Sequence, residues 1–241
     1  GDHALTIDTT EATEWVTPYE LVSKMRASIS ILGPLITRFG KAVVAMPGGC
    51  NIGARSIDQH LAGLAALGVE FVNQHGNIHA SAPHGLRGTI VTLDFPSVGA
   101  TENVMMGAVK AQGTTIIENA AREPEIVDLA NMLNEMGADI REAGSHIIEI
   151  YGVEELHACD HRTVGDRIEA GTFLVAGALC SDEGVTVTGF DPAHLDIPLS
   201  KMSLMGIPVE RHENGVTVRR AEHLSPADVQ TLPFPGFPTD M

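Results

Sequence analysis

Aromatic side chains are scarce, with seven Phe, two Tyr and one Trp making up 4% of 241 residues, so the core must be built from aliphatic packing. Basic residues are also few. Lys and Arg number 15 against 31 Asp and Glu, a net charge of −16, which argues against non-specific binding to nucleic acid or to an anionic membrane surface. An anionic substrate could be held only if those few cations gather at one site. The three cysteines (Cys50, Cys159 and Cys180) are odd in number and widely spaced, so they form no disulfide framework and fit a reducing, cytoplasmic setting. No apolar run approaches a membrane span, and no signal peptide opens the chain. The first residue is not Met, a hint that the chain starts inside a longer one.

What is present is a repeat. With 44% hydrophobic and 19% charged residues, the composition is that of a folded protein, long enough for one large or two ordinary domains. Three segments share one design: Leu64-Ala65-Ala66-Leu67-Gly68, Leu133-Asn134-Glu135-Met136-Gly137 and Leu204-Met205-Gly206. Their glycines lie 69 residues apart, each where a helix needs a left-handed cap. Hairpins are expected beyond them, pairing 69–72 with 77–80, 138–141 with 146–150 and 209–211 with 216–219. Upstream, helices are expected over 24–39, 98–111 and 168–180, strands over 42–46, 114–118 and 185–188, and second helices over 58–67, 125–136 and 193–205. The fold class is therefore α/β (α+β), made of βαβαββ-type units of about 70 residues whose helices share a core.

Chemistry concentrates in the stretch Pro47-Gly48-Gly49-Cys50-Asn51-Ile52-Gly53-Ala54-Arg55-Ser56-Ile57-Asp58-Gln59-His60. Three glycines in six residues free the backbone to move as a lid. A thiol near a guanidinium has its thiolate favoured, and arginine offers a planar fork of donors to phosphate or carboxylate. A glycine-rich strand-to-helix turn carrying one small buried Cys has the same sequence, so the spacing alone leaves both readings open. A second turn, Asp94-Phe95-Pro96-Ser97-Val98-Gly99-Ala100-Thr101, places a Ser cap at a helix start whose free N–H groups suit a diphosphate. The run His157-Ala158-Cys159-Asp160-His161 lacks a second ligand cluster at zinc spacing, so no metal is expected.

The Cys50 loop closely resembles the active-site loop of the UDP-N-acetylglucosamine 1-carboxyvinyltransferase family, the enolpyruvyl transferases of peptidoglycan synthesis. The likeness extends from Thr17-Pro18-Tyr19-Glu20-Leu21-Val22 through Arg122-Glu123-Pro124-Glu125 and Asp166-Arg167-Ile168-Glu169-Ala170-Gly171-Thr172 to Phe237-Pro238-Thr239-Asp240-Met241. It implies an inside-out α/β barrel fold in two domains, residues 1–164 with the Cys loop and 165–241 as the start of the second. It also implies transfer of the enolpyruvyl group of phosphoenolpyruvate to the 3′-hydroxyl of UDP-N-acetylglucosamine with release of phosphate. That chemistry takes no cofactor and no metal. In this resemblance Cys50 is the proton donor and the thiol that fosfomycin alkylates, and Asp240 is the base. Arg26, Arg55, Ser56, Ile57, Asp58, Gln59, Ser97, Val98 and Gly99 would hold substrate. Most members carry Pro where this chain has Ser56, and some carry Lys where it has Phe95. Glu123 is expected in the cleft and Asp166 on its hinge side, with helix capping and inter-repeat ion pairing as the alternatives for both. The expected partners are the two substrates and the missing terminal segments of the enzyme, which supply further cationic clamps, with no nucleic acid and no membrane. The alternatives are a 3-phosphoshikimate 1-carboxyvinyltransferase-like enzyme, which lacks this loop, and a non-catalytic nucleotide-sugar-binding fragment.

Overall fold

The computed structural model describes residues 4–48 and 57–241. Its first unit runs from a short helix α1 (Tyr19–Val22) through a 3₁₀ stretch (Arg26–Ile31) into α2 (Leu32–Phe39) and β1 (Lys41–Ala45). It continues with α3 (Asp58–Ala66) and the hairpin β2 (Glu70–Gln74) and β3 (Asn77–Ser81). The second unit is β4 (Ile90–Thr92), α4 (Val98–Ala108), β5 (Thr114–Glu118), α5 (Pro124–Glu135), β6 (Asp139–Arg141) and β7 (Ile147–Tyr151). The third is α6 (Arg167–Cys180), β8 (Val185–Thr188), a 3₁₀ turn (Pro192–Leu195) leading into α7 (Asp196–Leu204), and β9 (Val209–His212) with β10 (Gly215–Val218).

Gly68, Gly137 and Gly206 carry φ of 101°, 101° and 90°, so each repeat turns from helix to hairpin at a residue that tolerates the left-handed region. In every unit the second hairpin strand is central, flanked antiparallel by its hairpin partner and by the strand between the helices: β1-β3-β2, β5-β7-β6 and β8-β10-β9. β4 joins β5 in parallel at the outer edge of the second sheet, and the single bridge Val16–Val43 occupies the matching place in the first.

Two helices depart from expectation for one reason. The stretch 24–39 is not one helix but a 3₁₀ segment followed by α2, and 193–205 divides likewise. Pro34 and Pro198 stand at the third residue of α2 and α7. A proline has no N–H for the preceding turn, so the α-helix can begin only about there and the chain upstream tightens.

The side chains bury into two apolar clusters. The larger draws on residues 22–150, with Leu32, Leu64, Met105, Ile117, Ile126, Ile148 and Ile150 fully enclosed, and α4 packs at its centre against α2, α3 and α5. The smaller gathers Leu174, Leu195, Val216 and Val218 under α6. α6 still exposes Phe173, Val175 and Leu179.

Several contacts tie the segment beyond residue 160 to α5 and the two residues before it, among them the Arg167 Nε–Glu125 Oε2 ion pair at 3.8 Å. His161 bonds Asp128 Oδ1 through Nε2 (3.1 Å) and Glu135 Oε2 through Nδ1 (3.0 Å), while Val164 N–H donates to the same Asp128 oxygen at 3.0 Å. Near the carboxyl end, the Phe234 N–H donates to Glu123 Oε1 (3.4 Å) and its carbonyl accepts from Arg122 Nη2 (3.0 Å). The Arg167 guanidinium lies 5.2 Å from the Phe234 ring centroid, and the His194 ring meets it edge-on.

Candidate functional site

The amino end of α4 is the structural focus of the residues selected from sequence. Ser97 has extended backbone and its Oγ accepts from Ala100 N–H at 3.3 Å, an N-cap of the ordinary kind. Val98 and Gly99 then form the first turn, with N–H groups that the helix itself cannot satisfy. Gln59, in the first turn of α3, accepts the Phe95 N–H on its Oε1 at 3.2 Å, which pins the turn before α4 to the start of α3. Asp58 is exposed at the start of α3, where a carboxylate complements the helix dipole, and Ile57 is buried just before it.

Behind this turn lies a polar cluster. Asn103 is fully buried on α4, and its carboxamide makes three bonds. Oδ1 accepts the Gly33 N–H at 2.8 Å, while Nδ2 donates to the Ile29 carbonyl at 2.9 Å and to His60 Nδ1 at 2.8 Å. Thus one side chain links the 3₁₀ segment, α2, α3 and α4. His60, 6% exposed, lies against Gly99 so closely that a Cβ there would stand 2.9 Å from its Cε1. Its pKa is lowered to about 4, first by burial and then by the positive charge of Arg26, which heads the 3₁₀ segment. The imidazole is therefore neutral at physiological pH.

On the far face of α4, burial pushes the Glu102 carboxyl up, Glu125 and Glu123 raise it further, and its hydrogen bond with Ser30 opposes them. Glu123 itself is buried at the start of α5 and accepts the Arg122 N–H at 2.9 Å. Asp166 caps α6, accepting from Ile168 and Glu169 N–H at 2.8 and 3.1 Å. Of the roles expected for these two, Asp166 takes the cap and Glu123 joins the Phe234 contact.

The structure places Ile57, Asp58 and Gln59 at the start of α3 and Ser97, Val98 and Gly99 at the start of α4, joined by the Gln59–Phe95 bond, with Arg26 near enough to His60 to act on its charge. Cys50, Arg55 and Ser56 lie outside the described residues. Asp240 is exposed near the chain end, one residue before Met241, which packs on Gly171 of α6. Sequence reasoning missed His60 and Asn103. An Asn amid the apolar residues of a central helix was the available signal, since a mid-helix amide needs partners from elsewhere. Among the described residues no group of three or more His, Cys, Asp or Glu could hold a metal ion. His161, from the sequence cluster considered for zinc, has both ring nitrogens on carboxylates. No helix among those residues is long and apolar enough to cross a membrane.

The family model for EPSP synthase (3-phosphoshikimate 1-carboxyvinyltransferase) matches residues 2–241. The chain is 52% identical over 240 residues to UDP-N-acetylglucosamine 1-carboxyvinyltransferase 1 of Staphylococcus aureus, covering 100% of this chain and 57% of the relative. It is 51% identical over 239 residues to the protein of the same name in Staphylococcus epidermidis, covering 99% and 56%. The chain thus spans little more than half the length of these curated relatives. Among solved structures, the enolpyruvyl transferase NikO from Streptomyces tendae superposes with a TM-score of 0.73 at 23% identity, covering 87% of this chain and 50% of that one. EPSP synthase from Acinetobacter baumannii gives 0.58 at 18%, covering 81% and 46%. At these identities the structural likeness speaks to fold alone.

Proposed function

The chain belongs to the EPSP synthase family, and from that premise we propose that it is the greater part of an enolpyruvyl transferase acting on UDP-N-acetylglucosamine. The reaction moves the enolpyruvyl group of phosphoenolpyruvate to the sugar 3′-hydroxyl and releases phosphate, a step of peptidoglycan synthesis in the cytoplasm. Residues 1–164 and 165–241 would belong to its two domains, with substrates between them. The name borne by relatives at 52% identity over 240 residues favours this acceptor over shikimate 3-phosphate.

The observation that carries the reading is the tie of Gln59, in the first turn of α3, to the turn before α4, with the Ser97–Val98–Gly99 turn at the amino end of α4 and Arg26 near enough to His60 behind it to lower its pKa. Free N–H groups, a positive dipole end and a guanidinium together suit a diphosphate. They also answer the difficulty posed by a net charge of −16, because cations are needed at only one place. Cys50 would protonate C3 of phosphoenolpyruvate as Asp240 takes the hydroxyl proton and the sugar oxygen bonds to C2. Loss of a C3 proton would then restore the double bond as the C2–O bond to phosphate breaks. Arg55 and Ser56 would close over the substrates with the Cys50 loop.

Fosfomycin tests the assignment of Cys50, since an epoxide is opened by a thiolate and the adduct adds the mass of the whole drug. Intact-mass spectrometry should show one adduct at Cys50, none in Cys50→Asp, and faster labelling with UDP-N-acetylglucosamine present. Labelling of Cys159 or Cys180 with Cys50 unmodified would contradict it. Phosphate release should require UDP-N-acetylglucosamine as acceptor. Release with shikimate 3-phosphate instead would make this a different member of the family.

A further inference from the structure

The last strand, β10, ends at Val218, and no helix or strand follows it among the described residues. From there to Asp240 the chain keeps its course through single contacts. Within that stretch, residues 231–237 close on themselves. The Leu232 N–H donates to the Phe237 carbonyl at 3.1 Å, the Gly236 N–H donates to that of Pro233 at 2.8 Å, and Thr231 bridges Phe237. A turn closed in this way moves as one piece, so whatever holds Phe234 also places Phe237, three residues before Asp240.

Two adjoining side chains hold both backbone polar groups of Phe234. Arg122 Nη2 donates to its carbonyl at 3.0 Å, and Glu123 Oε1 accepts its N–H at 3.4 Å. This is the double pairing of an antiparallel strand neighbour, supplied by an arginine and a glutamate instead of a backbone. Glu123 is buried, and its other oxygen accepts the Arg122 N–H at 2.9 Å, which fixes it to the start of α5. Arg122 is exposed, and its bond spans 112 positions of the chain. A hydrogen bond from an exposed side chain adds little to folding, so the effect of this one is on where the 231–237 turn sits. Beyond Asp240, Met241 packs on α6, where a Cβ on Gly171 would stand 2.7 Å from its Sδ and Cε. Asp240 is thus exposed between two anchors, one on the residues before α5 and one on α6.

We infer that Arg122 is a positioning residue for Asp240, acting through the Phe234 carbonyl rather than on a reacting atom. This rests on the reading of Asp240 as the base for the sugar hydroxyl. A base must come within about 3 Å of the group it deprotonates, and a misplacement of about 1 Å can cost a hundredfold in rate. The contacts of the Phe234 ring with Arg167 and His194 come from the base's own side of the proposed domain division. Arg122 and Glu123 come from the other side, which would hold the nucleotide sugar. They therefore refer the base to the part of the molecule where its proton donor would lie.

Steady-state kinetics of the complete enzyme, of which this chain is the proposed greater part, test this with Arg122→Met, Arg122→Lys and Asp240→Asn. In Arg122→Met, kcat for phosphate release should fall by about tenfold or more, with KM for UDP-N-acetylglucosamine unchanged. Arg122→Lys keeps a donor for the carbonyl and should recover part of the loss. Fosfomycin should still label Cys50 of Arg122→Met at the wild-type rate, which a general loss of structure would not allow. An unchanged kcat, a change confined to KM, or a fall that Arg122→Lys does not relieve would overturn the inference while leaving the reading of Asp240 intact. Undiminished turnover by Asp240→Asn would overturn both, as would a wild type without turnover. A second measurement needs no activity. In spectra of this chain, the Asp240 amide resonance should move in Arg122→Met while those of α6 stay in place, and an unmoved Asp240 resonance excludes the coupling.

Discussion

At the scale of single residues, His60 and Asn103 set the most exacting conditions. His60 has a folded pKa near 4 against an ordinary 6.5, so between those values the unfolded chain binds the proton and the folded chain does not. Its contribution is therefore fully present above pH 6.5 and is lost as pH falls towards 4. The shift corresponds to about 3 kcal/mol at most. Urea unfolding from pH 7 to pH 4 should show this loss in the wild type, and His60→Leu should show a smaller one. Equal slopes would contradict the burial of a neutral imidazole. Asn103→Leu strands the Ile29 carbonyl, the Gly33 N–H and His60 Nδ1 together, and should cost about 3 kcal/mol or more, read from the urea midpoint at pH 7. Neither residue stood out in the sequence, because a His and an Asn on helices acquire meaning only from partners 43 to 74 positions away.

At the scale of elements, the repeat was largely legible. Glycines at a fixed spacing, apolar helix faces and hairpin turns each follow from local chemistry, so β5, β8 and the bounds of most helices lie where the pattern puts them. What escaped were features set by neighbours. β4 has three residues, and its place depends on parallel pairing with β5 rather than on any pattern of its own. The two 3₁₀ segments follow from Pro34 and Pro198, whose effect on the preceding turn the apolar periodicity conceals. Gly99 illustrates how an element serves the site. Glycine in a helix is normally the weaker choice, and alanine should stabilise α4 by about 1 kcal/mol. Here the added methyl would meet His60 Cε1 at 2.9 Å. Gly99→Ala is therefore expected to displace the imidazole and weaken UDP by tenfold or more, with little gain in melting temperature. Unaltered UDP affinity would show that the imidazole and Gly99 are not in register.

At the scale of the molecule, two of the contacts that connect the segment beyond residue 160 to α5 and the residues before it were invisible in sequence because their partners lie far apart in it. One should respond to pH. Burial alone would lower the His161 pKa, but hydrogen bonds to Glu135 and Asp128 outweigh it and the net shift is upward. A raised folded pKa means that the stabilisation is complete below the ordinary 6.5 and fades as pH rises through the folded value. This is opposite in sign to His60. The protection of the Val164 amide from hydrogen exchange, corrected for intrinsic rate, should fall between pH 6 and pH 8, and His161→Gln should remove the dependence. Constant protection would mean that the imidazolium does not hold this strap. The second contact, Phe234 among Arg122, Glu123, Arg167 and His194, sets the course of the chain towards Asp240. The candidate base depends on that course, whereas the described residues of the proposed diphosphate end lie between 26 and 99.

That division makes nucleotide-sugar binding the most direct test of the proposed activity. The chain should be titrated by calorimetry with UDP-N-acetylglucosamine and, in parallel, with shikimate 3-phosphate. Saturable binding of the first is expected at one site per chain, weakened at least tenfold in Arg26→Ala through loss of a charge-assisted contact, with no binding of the second. Binding of shikimate 3-phosphate alone, or nucleotide-sugar binding indifferent to Arg26, would contradict it.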